Sequence, residues 1–358
     1  MSDIFDQIVS YENLFAAWQE FRRGKRSRQD AQEFERHLED NVFALHEDLV
    51  NGEYRHGSYH RFHIFDPKHR IIHKATVRDR LVHHAVYRVL YPVFDRSFIF
   101  DSYSCRTGKG THAAVDRLEQ FTRQVSRNNT RPCWALKFDI RKFFDSVEHG
   151  ILMNILSSSL RGGHRPTKQS SKIASVASLP RNDGGGVLGL LSEIVGSYSI
   201  SNPVGGGRSL GTSNRTGLPI GNLTSQLFAN IYMDAFDHFI KNELRVRQYL
   251  RYTDDAVILA NDPAELRWLL PFIEQWLWSE RRLTLHPHKV EIRKLAQGID
   301  FLGYITLPHH RVLRTKTKRR MFRRVNSGNM PSYVGLLKHC DGYTLKMHLF
   351  QREQPEGF

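Results

Sequence analysis

Gln248-Tyr249-Leu250-Arg251-Tyr252-Thr253-Asp254-Asp255-Ala256-Val257-Ile258-Leu259 sets two adjacent carboxylates between two runs that each read as strand. The spacing predicts a tight hairpin with acids at its tip. Upstream, Cys133-Trp134-Ala135-Leu136-Lys137-Phe138-Asp139-Ile140 is another apolar run, and it closes on a single aspartate before Arg141-Lys142-Phe143-Phe144-Asp145. A strand there brings a third carboxylate towards the first two. Three crowded carboxylates repel and raise one another's pKa, so the arrangement makes sense mainly where divalent cations neutralise it. Hard oxygen ligands with open positions suit Mg²⁺, with Mn²⁺ as an alternative. Two such ions clamp the attacking and leaving oxygens of an in-line phosphoryl transfer, which is the chemistry of nucleotide polymerisation.

A solvated Asp-Asp turn is the plainer reading of the tetrapeptide by itself. Against it, Asp139 and Asp254 end apolar runs, and between them stands Gly217-Leu218-Pro219-Ile220-Gly221-Asn222-Leu223-Thr224-Ser225-Gln226. Asn222 fits an N-cap, after which Leu227, Ile231, Ala235 and Phe239 recur at helical spacing. The glycine turn then presents backbone amides beside the acids.

These three motifs, in this order, resemble the palm of a reverse transcriptase, and the resemblance runs over nearly the whole chain. Asp66-Pro67-Lys68-His69-Arg70-Ile71-Ile72 and Val77-Arg78-Asp79-Arg80-Leu81-Val82-His83-His84 are similar to the first fingers block. The run Phe98 to Arg106, followed by Gly108-Lys109-Gly110-Thr111-His112, is similar to the second. Leu283 to Lys289 and Gly298-Ile299-Asp300-Phe301-Leu302-Gly303-Tyr304 look like the lysine-bearing motif and the primer-grip hairpin. Retroviral and group II intron enzymes usually carry Pro-Gln-Gly followed by Ser-Pro, whereas this chain has Pro219-Ile220-Gly221 followed by Ser225-Gln226. That pattern resembles the reverse transcriptases of diversity-generating retroelements. Bacterial antiphage defence reverse transcriptases, which make repetitive, untemplated or protein-primed DNA, share much of the same core and stand as the alternative.

The resemblance implies a role for each matching residue. Asp139 and Asp254 would hold two Mg²⁺ ions, the Ile140 carbonyl would complete one shell, and Asp255 would act electrostatically or as a weaker ligand. Phe144 matches the steric gate that excludes a 2′-hydroxyl and so selects dNTPs. If Phe143 and Phe144 continue the strand they point to opposite faces, and only one is a core aromatic. Lys68 and Arg70 match residues that grip the triphosphate, against the plainer reading of a solvated basic loop. Lys142, Phe143, Gly221 and Gln226 fall in the same nucleotide pocket. Lys289 matches a general acid for the pyrophosphate leaving group, or a simple electrostatic partner of phosphate. Ile220 stands where many relatives have glutamine; it keeps bulk but loses hydrogen bonds, which implies weak geometric checking and errors opposite template adenine. The alternative is a hydrophobic turn residue with fidelity set elsewhere. Arg78, Arg80, Arg106, Leu302, Gly303, Arg314, Lys316, Lys318 and Arg319 fall at template- and primer-binding positions.

A formal charge of +15 over 358 residues points to a polyanionic partner. From His309 to Arg324 there are eight Lys or Arg and no acid, interleaved with Val312, Leu313, Met321 and Phe322, a pattern that predicts an amphipathic basic helix along a nucleic-acid duplex. The 19 histidines form no His-Glu-x-x-His pattern and the triglycines lack a following Gly-Lys-Ser/Thr, so neither a zinc protease nor a P-loop site is expected. Scattered Cys105, Cys133 and Cys340 fit a reducing compartment, and no apolar run spans a bilayer, so a cytoplasmic protein is expected, which the resemblance implies is bacterial or phage-encoded. Asp262-Pro263 opens an apolar-striped helix through Leu266, Leu269, Ile273 and Leu277.

The architecture expected is α+β, a right-hand polymerase with an antiparallel palm sheet backed by helices. Residues 1–125 would form the N-terminal helical region and fingers, 126–306 the palm, and 307–358 a basic thumb. A Ser/Gly-rich insertion occupies about 157–217, with only Val187 to Val195 apolar enough for a helix. About fifty residues follow Tyr304, so template removal and target nicking are expected from other proteins. The partners implied are a template RNA, a DNA or RNA primer, dNTPs and a small basic accessory protein.

Overall fold

The computed structural model describes residues 3–65, 69–161, 186–200 and 215–353. The chain folds as two units, one comprising Met1–Ile99, Arg141–His238 and Trp276–Thr284, the other Phe100–Ile140, Phe239–Gln275 and Leu285–Phe358. The second unit thus gathers residues from all three segments expected from the sequence.

The first unit is mostly helical because its apolar residues recur at three- and four-residue spacing. Helices Tyr11–Phe21 and Leu38–Val50 bury Leu14, Trp18, Phe21, Leu45 and Leu49, while Val77–Asp95 buries Leu81, Val82, Val86 and Leu90. Ser10 and Thr76 start two of these helices, their hydroxyls accepting from the N–H groups of Asn13 and Asp79. Strands β1 (His60–Ile64) and β2 (Arg70–Lys74) pair antiparallel; every residue of β1 is exposed, whereas β2 is exposed only at Arg70 and buries His73. The helix expected inside the insertion is present at Val187–Gly196, and helix Leu223–His238 is buried along most of its length. The flanks of the insertion lie outside the described residues.

In the second unit β3 (Trp134–Asp139) is central, with β5 (Asp255–Ala260) and β6 (Glu291–Lys294) antiparallel on either side and β4 (Tyr249–Tyr252) outside β5. A strand paired on both edges and largely covered on its faces reads in sequence as a mostly apolar run, which is how Cys133 to Phe138 reads, with Lys137 alone polar and half-buried. A second antiparallel sheet follows, β7 (Ile299–Phe301), β8 (Tyr304–Thr306) and β9 (Arg311–Leu313). One core joins the two sheets: Leu118 and Phe121 of helix Thr111–Val125 pack with Leu250, Val257, Leu259, Phe301, Tyr304 and Met321. The unit ends in helices Thr315–Arg324, Met330–Leu337 and Tyr343–Glu353.

Two local expectations are corrected. Phe143 and Phe144 do not continue β3: Lys142 turns the chain with φ +46°, and Phe143–Ser146 is one helical turn. Phe143 is then buried and Phe144 half-buried because neighbouring residues on a helix are rotated by about 100°, not because strand residues alternate. The basic run from His309 to Arg324 is not one helix, since Arg311–Leu313 pairs with β8 and the helix begins at Thr315. The helix opened by Asp262 is found at Pro263–Arg281, with Asp262 Oδ1 accepting from the Ala264 N–H at 2.8 Å. Among the described residues no helix is long and apolar enough to cross a membrane.

Leu136, fully buried at the centre of β3, carries the sheet. Leu136→Ala should destabilise the protein by about 2–5 kcal/mol, read as a lower urea midpoint with an unchanged slope. A change below about 1 kcal/mol would mean the strand is not the core element described.

Candidate active site

Strand register brings the acids together. Asp139, the last residue of β3, pairs directly with Asp255, the first of β5, while Tyr252 pairs with Asp255 across the hairpin. Thr253 and Asp254 form the turn. The Ile140 N–H donates to the Asp254 carbonyl at 3.3 Å, and the His286 N–H donates to the Asp139 carbonyl at 2.8 Å, so three chain segments meet at the carboxylates. Ile140 itself is buried and bridged to Leu285.

The turn is strained. Thr253 has φ +56°, a region costly for a β-branched residue. Its hydroxyl donates to Ser104 Oγ at 2.6 Å and its carbonyl accepts from Arg251 Nη1 at 2.9 Å. Arg251 is almost fully buried; its main chain pairs with Asp101 and Tyr103, and its Nη2 donates to Ser102 Oγ at 3.3 Å. Segment 101–104 is therefore the mould for the acidic turn. The sequence reading noted this block but assigned Ser102, Ser104 and Arg251 no role; a cationic residue in the middle of a hydrophobic strand run was the available signal.

Electrostatics at the turn favour a cation. Burial, and then the charges of Asp139 and Asp255, push the Asp254 carboxyl up to about 6, with Lys289 opposing. Lys289 Nζ sits 2.7 Å from Asp139 Oδ2, and Lys137 Nζ lies 3.9 Å from Asp255 Oδ1. Among the described residues no three acidic, histidine or cysteine side chains converge as a ready-made metal cage. Mg²⁺ binds through one or two carboxylates and completes its shell with water and substrate phosphates. The donors present, Asp139, Asp254, the Ile140 carbonyl and Asp255 beside them, are the hard oxygen set that ion takes.

The described residues expected to line the nucleotide pocket all belong to the first unit, and hydrogen bonds join the segments that carry Phe143, Phe144, Ile220 and Gly221. The Leu218 N–H donates to the Phe144 carbonyl at 2.7 Å and the Gly217 N–H to the Val147 carbonyl at 2.9 Å, joining the Phe143–Ser146 turn to the glycine motif. The His73 N–H of β2 donates to the Ile220 carbonyl at 3.2 Å. Gly221 has φ +116°, a conformation that favours glycine, and a Cβ there would lie 3.0 Å from Ile72 Cγ2, so that side chain would also have to give way. Ile220, Phe144 and Gln226 are half-buried; Lys142 is exposed, and Arg70 is exposed at the start of β2. Burial raises the Asp145 carboxyl beside this group, with Lys142 and His73 opposing. Lys68 lies outside the described residues. Asn222 precedes the helix at Leu223 but does not cap it: its side chain is buried and neither amide atom has a hydrogen-bond partner, so burial has withdrawn it from the first-turn N–H groups.

The template- and primer-binding residues divide into two sets. Arg78 pairs with Asp48 and lies over the Tyr54 ring, and Arg80 pairs with Asp30 at 2.6 Å and lies over Phe21. Both hold the N-terminal helices to Val77–Asp95. Arg106 donates to the Ser102 carbonyl at 3.1 Å, and Arg314 pairs with Asp300. Lys316 and Arg319 are exposed on helix Thr315–Arg324, with Lys318 half-buried beside them. Leu302 (φ +50°) and Gly303 (φ +93°) form the β7–β8 turn.

Residues 65–306 match the family model described as reverse transcriptase (RNA-dependent DNA polymerase). The chain is 22% identical over 308 residues to YkfC of Escherichia coli K12, covering 76% of this chain and 71% of that one. It is 26% identical over 168 residues to a 91 kDa protein in the cob intron of Schizosaccharomyces pombe, covering 47% of this chain and 16% of that protein. The structure is similar to telomerase from Candida albicans, with 15% identity, a TM-score of 0.48, and coverage of 74% of this chain and 47% of that one. The chain thus spans less than half of the intron protein and of telomerase.

Asp254 has a folded-state pKa above its unfolded value of about 3.9, so folding disfavours its charged form. The resulting cost is full above about pH 6 and fades as pH falls towards 4. Asp254→Asn should therefore stabilise the metal-free protein by about 1–3 kcal/mol at pH 7.5 and by little at pH 4, measured by denaturant unfolding. Equal effects at both pH values would remove the electrostatic account.

Proposed function

This chain belongs to the reverse transcriptase (RNA-dependent DNA polymerase) family, and we propose that it copies a dedicated RNA into cDNA with errors concentrated at template adenines, as diversity-generating retroelements do. Family membership makes it a nucleotidyltransferase with the right-hand polymerase fold. The observation that carries the finer reading is Ile220, an aliphatic residue in the turn that β2 holds by hydrogen bond.

Asp139 and Asp254 would hold two Mg²⁺ or Mn²⁺ ions, with the Ile140 carbonyl and Asp255 completing the set. When bound, such ions lower the pKa of the attacking hydroxyl and neutralise charge on the leaving pyrophosphate. Lys289, now on Asp139, would be displaced from that carboxylate and become available to the pyrophosphate oxygens, as a proton donor or as a charge. Phe144 would lie under the incoming sugar and reject a 2′-hydroxyl by volume. Arg70 and Lys68 would grip the triphosphate, with Lys142, Phe143, Gly221 and Gln226 shaping the pocket. Ile220 would contact the nascent pair through apolar surface alone, leaving base selection to shape, which discriminates less than directed hydrogen bonds do.

Along the product duplex, Lys316, Lys318 and Arg319 would neutralise phosphates and Leu302-Gly303 would place the primer end. Arg78, Arg80, Arg106 and Arg314 would support this surface through their carboxylate and carbonyl partners more than by touching nucleic acid. A small basic accessory protein, a structured template RNA and its primer complete the assembly in a bacterial cytoplasm.

The protein should be purified with its neighbouring noncoding RNA and given Mg²⁺ and dNTPs, and the DNA sequenced. Complementary DNA substituted mainly opposite adenine is expected; accurate, repetitive or RNA-independent DNA would instead favour a defence polymerase. Asp139→Asn and Asp254→Asn should each reduce synthesis to background. Phe144→Ala should erode discrimination against ribonucleotides, a hydroxyl-rejection effect of about 10²-fold at most. Ile220→Gln should lower misinsertion opposite adenine severalfold; no change would place fidelity elsewhere.

A further inference from the structure

A buried chain of polar groups in the first unit ends on the helix that follows the Ile220–Gly221 turn. The Thr224 hydroxyl is 2.7 Å from His83 Nδ1, and His83 Nε2 is 3.2 Å from His56 Nε2. His56 Nδ1 is 2.7 Å from the Gly57 carbonyl and its backbone N–H donates to Glu193 Oε1 at 2.9 Å. Tyr59 Oη lies 3.2 Å from His56 Nε2 and 2.8 Å from Ser197 Oγ, which in turn donates to the Ile194 carbonyl. Thr224 and His83 are both at most 2% exposed.

The chain rests on a rigid base. Asp79, also buried, accepts from Tyr54 Oη at 2.8 Å, Thr76 Oγ1 at 2.6 Å and the Gly57 N–H at 3.2 Å. This locks residues 54–57 to helix Val77–Asp95. Burial, with the neighbouring His56, His84 and Arg80 adding to it, pushes the His83 pKa well below its ordinary value, so its ring is neutral, with one N–H and one lone pair. The Nε2–Nε2 contact holds a single hydrogen. Whichever ring supplies it, a hydroxyl at residue 224 satisfies His83 Nδ1, because a hydroxyl both donates and accepts. An aliphatic residue there would leave that nitrogen buried without a partner.

Thr224 lies in the first turn of helix Leu223–His238, three residues past Gly221. The turn before it is held by the His73 N–H of β2 on the Ile220 carbonyl at 3.2 Å. Helix Val77–Asp95 and β2 therefore both grip the same short segment.

We propose that Thr224 and His83 are positioning residues for nucleotide selection, their hydrogen bond fixing the first turn of helix Leu223–His238 and through it the placement of Ile220 and Gly221 against the incoming nucleotide. The proposal rests on the polymerase reading of that turn. Ile220 and Gly221 would meet the nucleotide rather than the reacting groups, so a shift in their placement is felt in nucleotide binding and selection, and the effect of this bond is on selection as well as on folding.

Thr224→Val keeps the side-chain shape and removes the hydroxyl; Thr224→Ser keeps the hydroxyl. Primer extension on RNA, with kcat and KM for each dNTP, the misinsertion ratio at each template base and a thermal midpoint, separates the two. For Thr224→Val the KM should rise at least about fivefold with kcat within about twofold, and the misinsertion ratio should move by at least about threefold. Thr224→Ser should match the parent in KM and misinsertion. A folded Thr224→Val with parental KM and misinsertion, whatever its thermal midpoint, would reduce the bond to a structural one. Thr224→Ser as defective as Thr224→Val would also overturn the proposal. Should Thr224→Val fail to fold, Thr224→Ala takes its place under the same criteria. A parent protein that makes no DNA on any template would overturn the polymerase reading itself, an outcome distinct from the failure of this pair.

Discussion

Everything at the acidic turn depends on one register, the pairing of Asp139 with Asp255 across β3 and β5. Side chains alternate along a strand, so a slip of one residue would send Asp139 to the opposite face and take Phe138, fully buried in this register, out of its place in the core. The register is fixed well away from the acids, by Leu136 opposite Ile258 and Ala135 opposite Leu259 in the buried body of the sheet. The Ile140 N–H on the Asp254 carbonyl then closes the end of the ladder. Hydrophobic burial, which is indifferent to chemistry, thereby holds three like charges together against their repulsion.

That repulsion is stored rather than removed. Asp254 is pushed up to about 6 by burial and by its two acidic neighbours, and Thr253 holds a left-handed backbone that a threonine avoids in isolation. Both costs are met by groups outside the turn: Ser104 and Arg251 hold the backbone, and Lys289 sits on Asp139. A site built this way is a receptor for positive charge. Three carboxylates kept near one another by the sheet lower the cost of bringing a cation to them, because their repulsion is relieved when positive charge arrives.

The arginines show where composition stops being informative. A net charge of +15 points to nucleic acid, yet Arg78, Arg80 and Arg314 each face a carboxylate of their own chain. Arg78 and Arg80 also lie over Tyr54 and Phe21, so they act as struts with an aromatic footing. Lys316 and Arg319, exposed on a helix with no acid in its length, present charge outward instead. Distinguishing these uses needs partners from 14 to 50 residues away in the chain.

The α+β class came through the family resemblance, while periodicity and short motifs were enough to read the acidic hairpin from Gln248 to Leu259, the strand ending at Asp139 and the helix opened by Asp262. Each of these is a local pattern whose physical cause, alternation or a capping carboxylate, lies within a few residues. The sequence also implied the grouping of Phe144, Ile220 and Gly221, through resemblance to a family. Other features were decided only by tertiary structure. Lys142 takes a left-handed conformation that ends β3 and turns Phe143-Phe144 into a helix; Arg311–Leu313 joins a sheet where a basic helix was expected; Asn222 is buried instead of capping. The support of the acidic turn by Ser104 and Arg251, and the chain from Thr224 through His83 to His56, were invisible as well. For the bonds Thr253–Ser104, Thr224–His83 and His83–His56 the reason is that a hydrogen bond across 27 to 149 residues leaves no periodic trace in the sequence, because either partner alone looks like an ordinary polar residue.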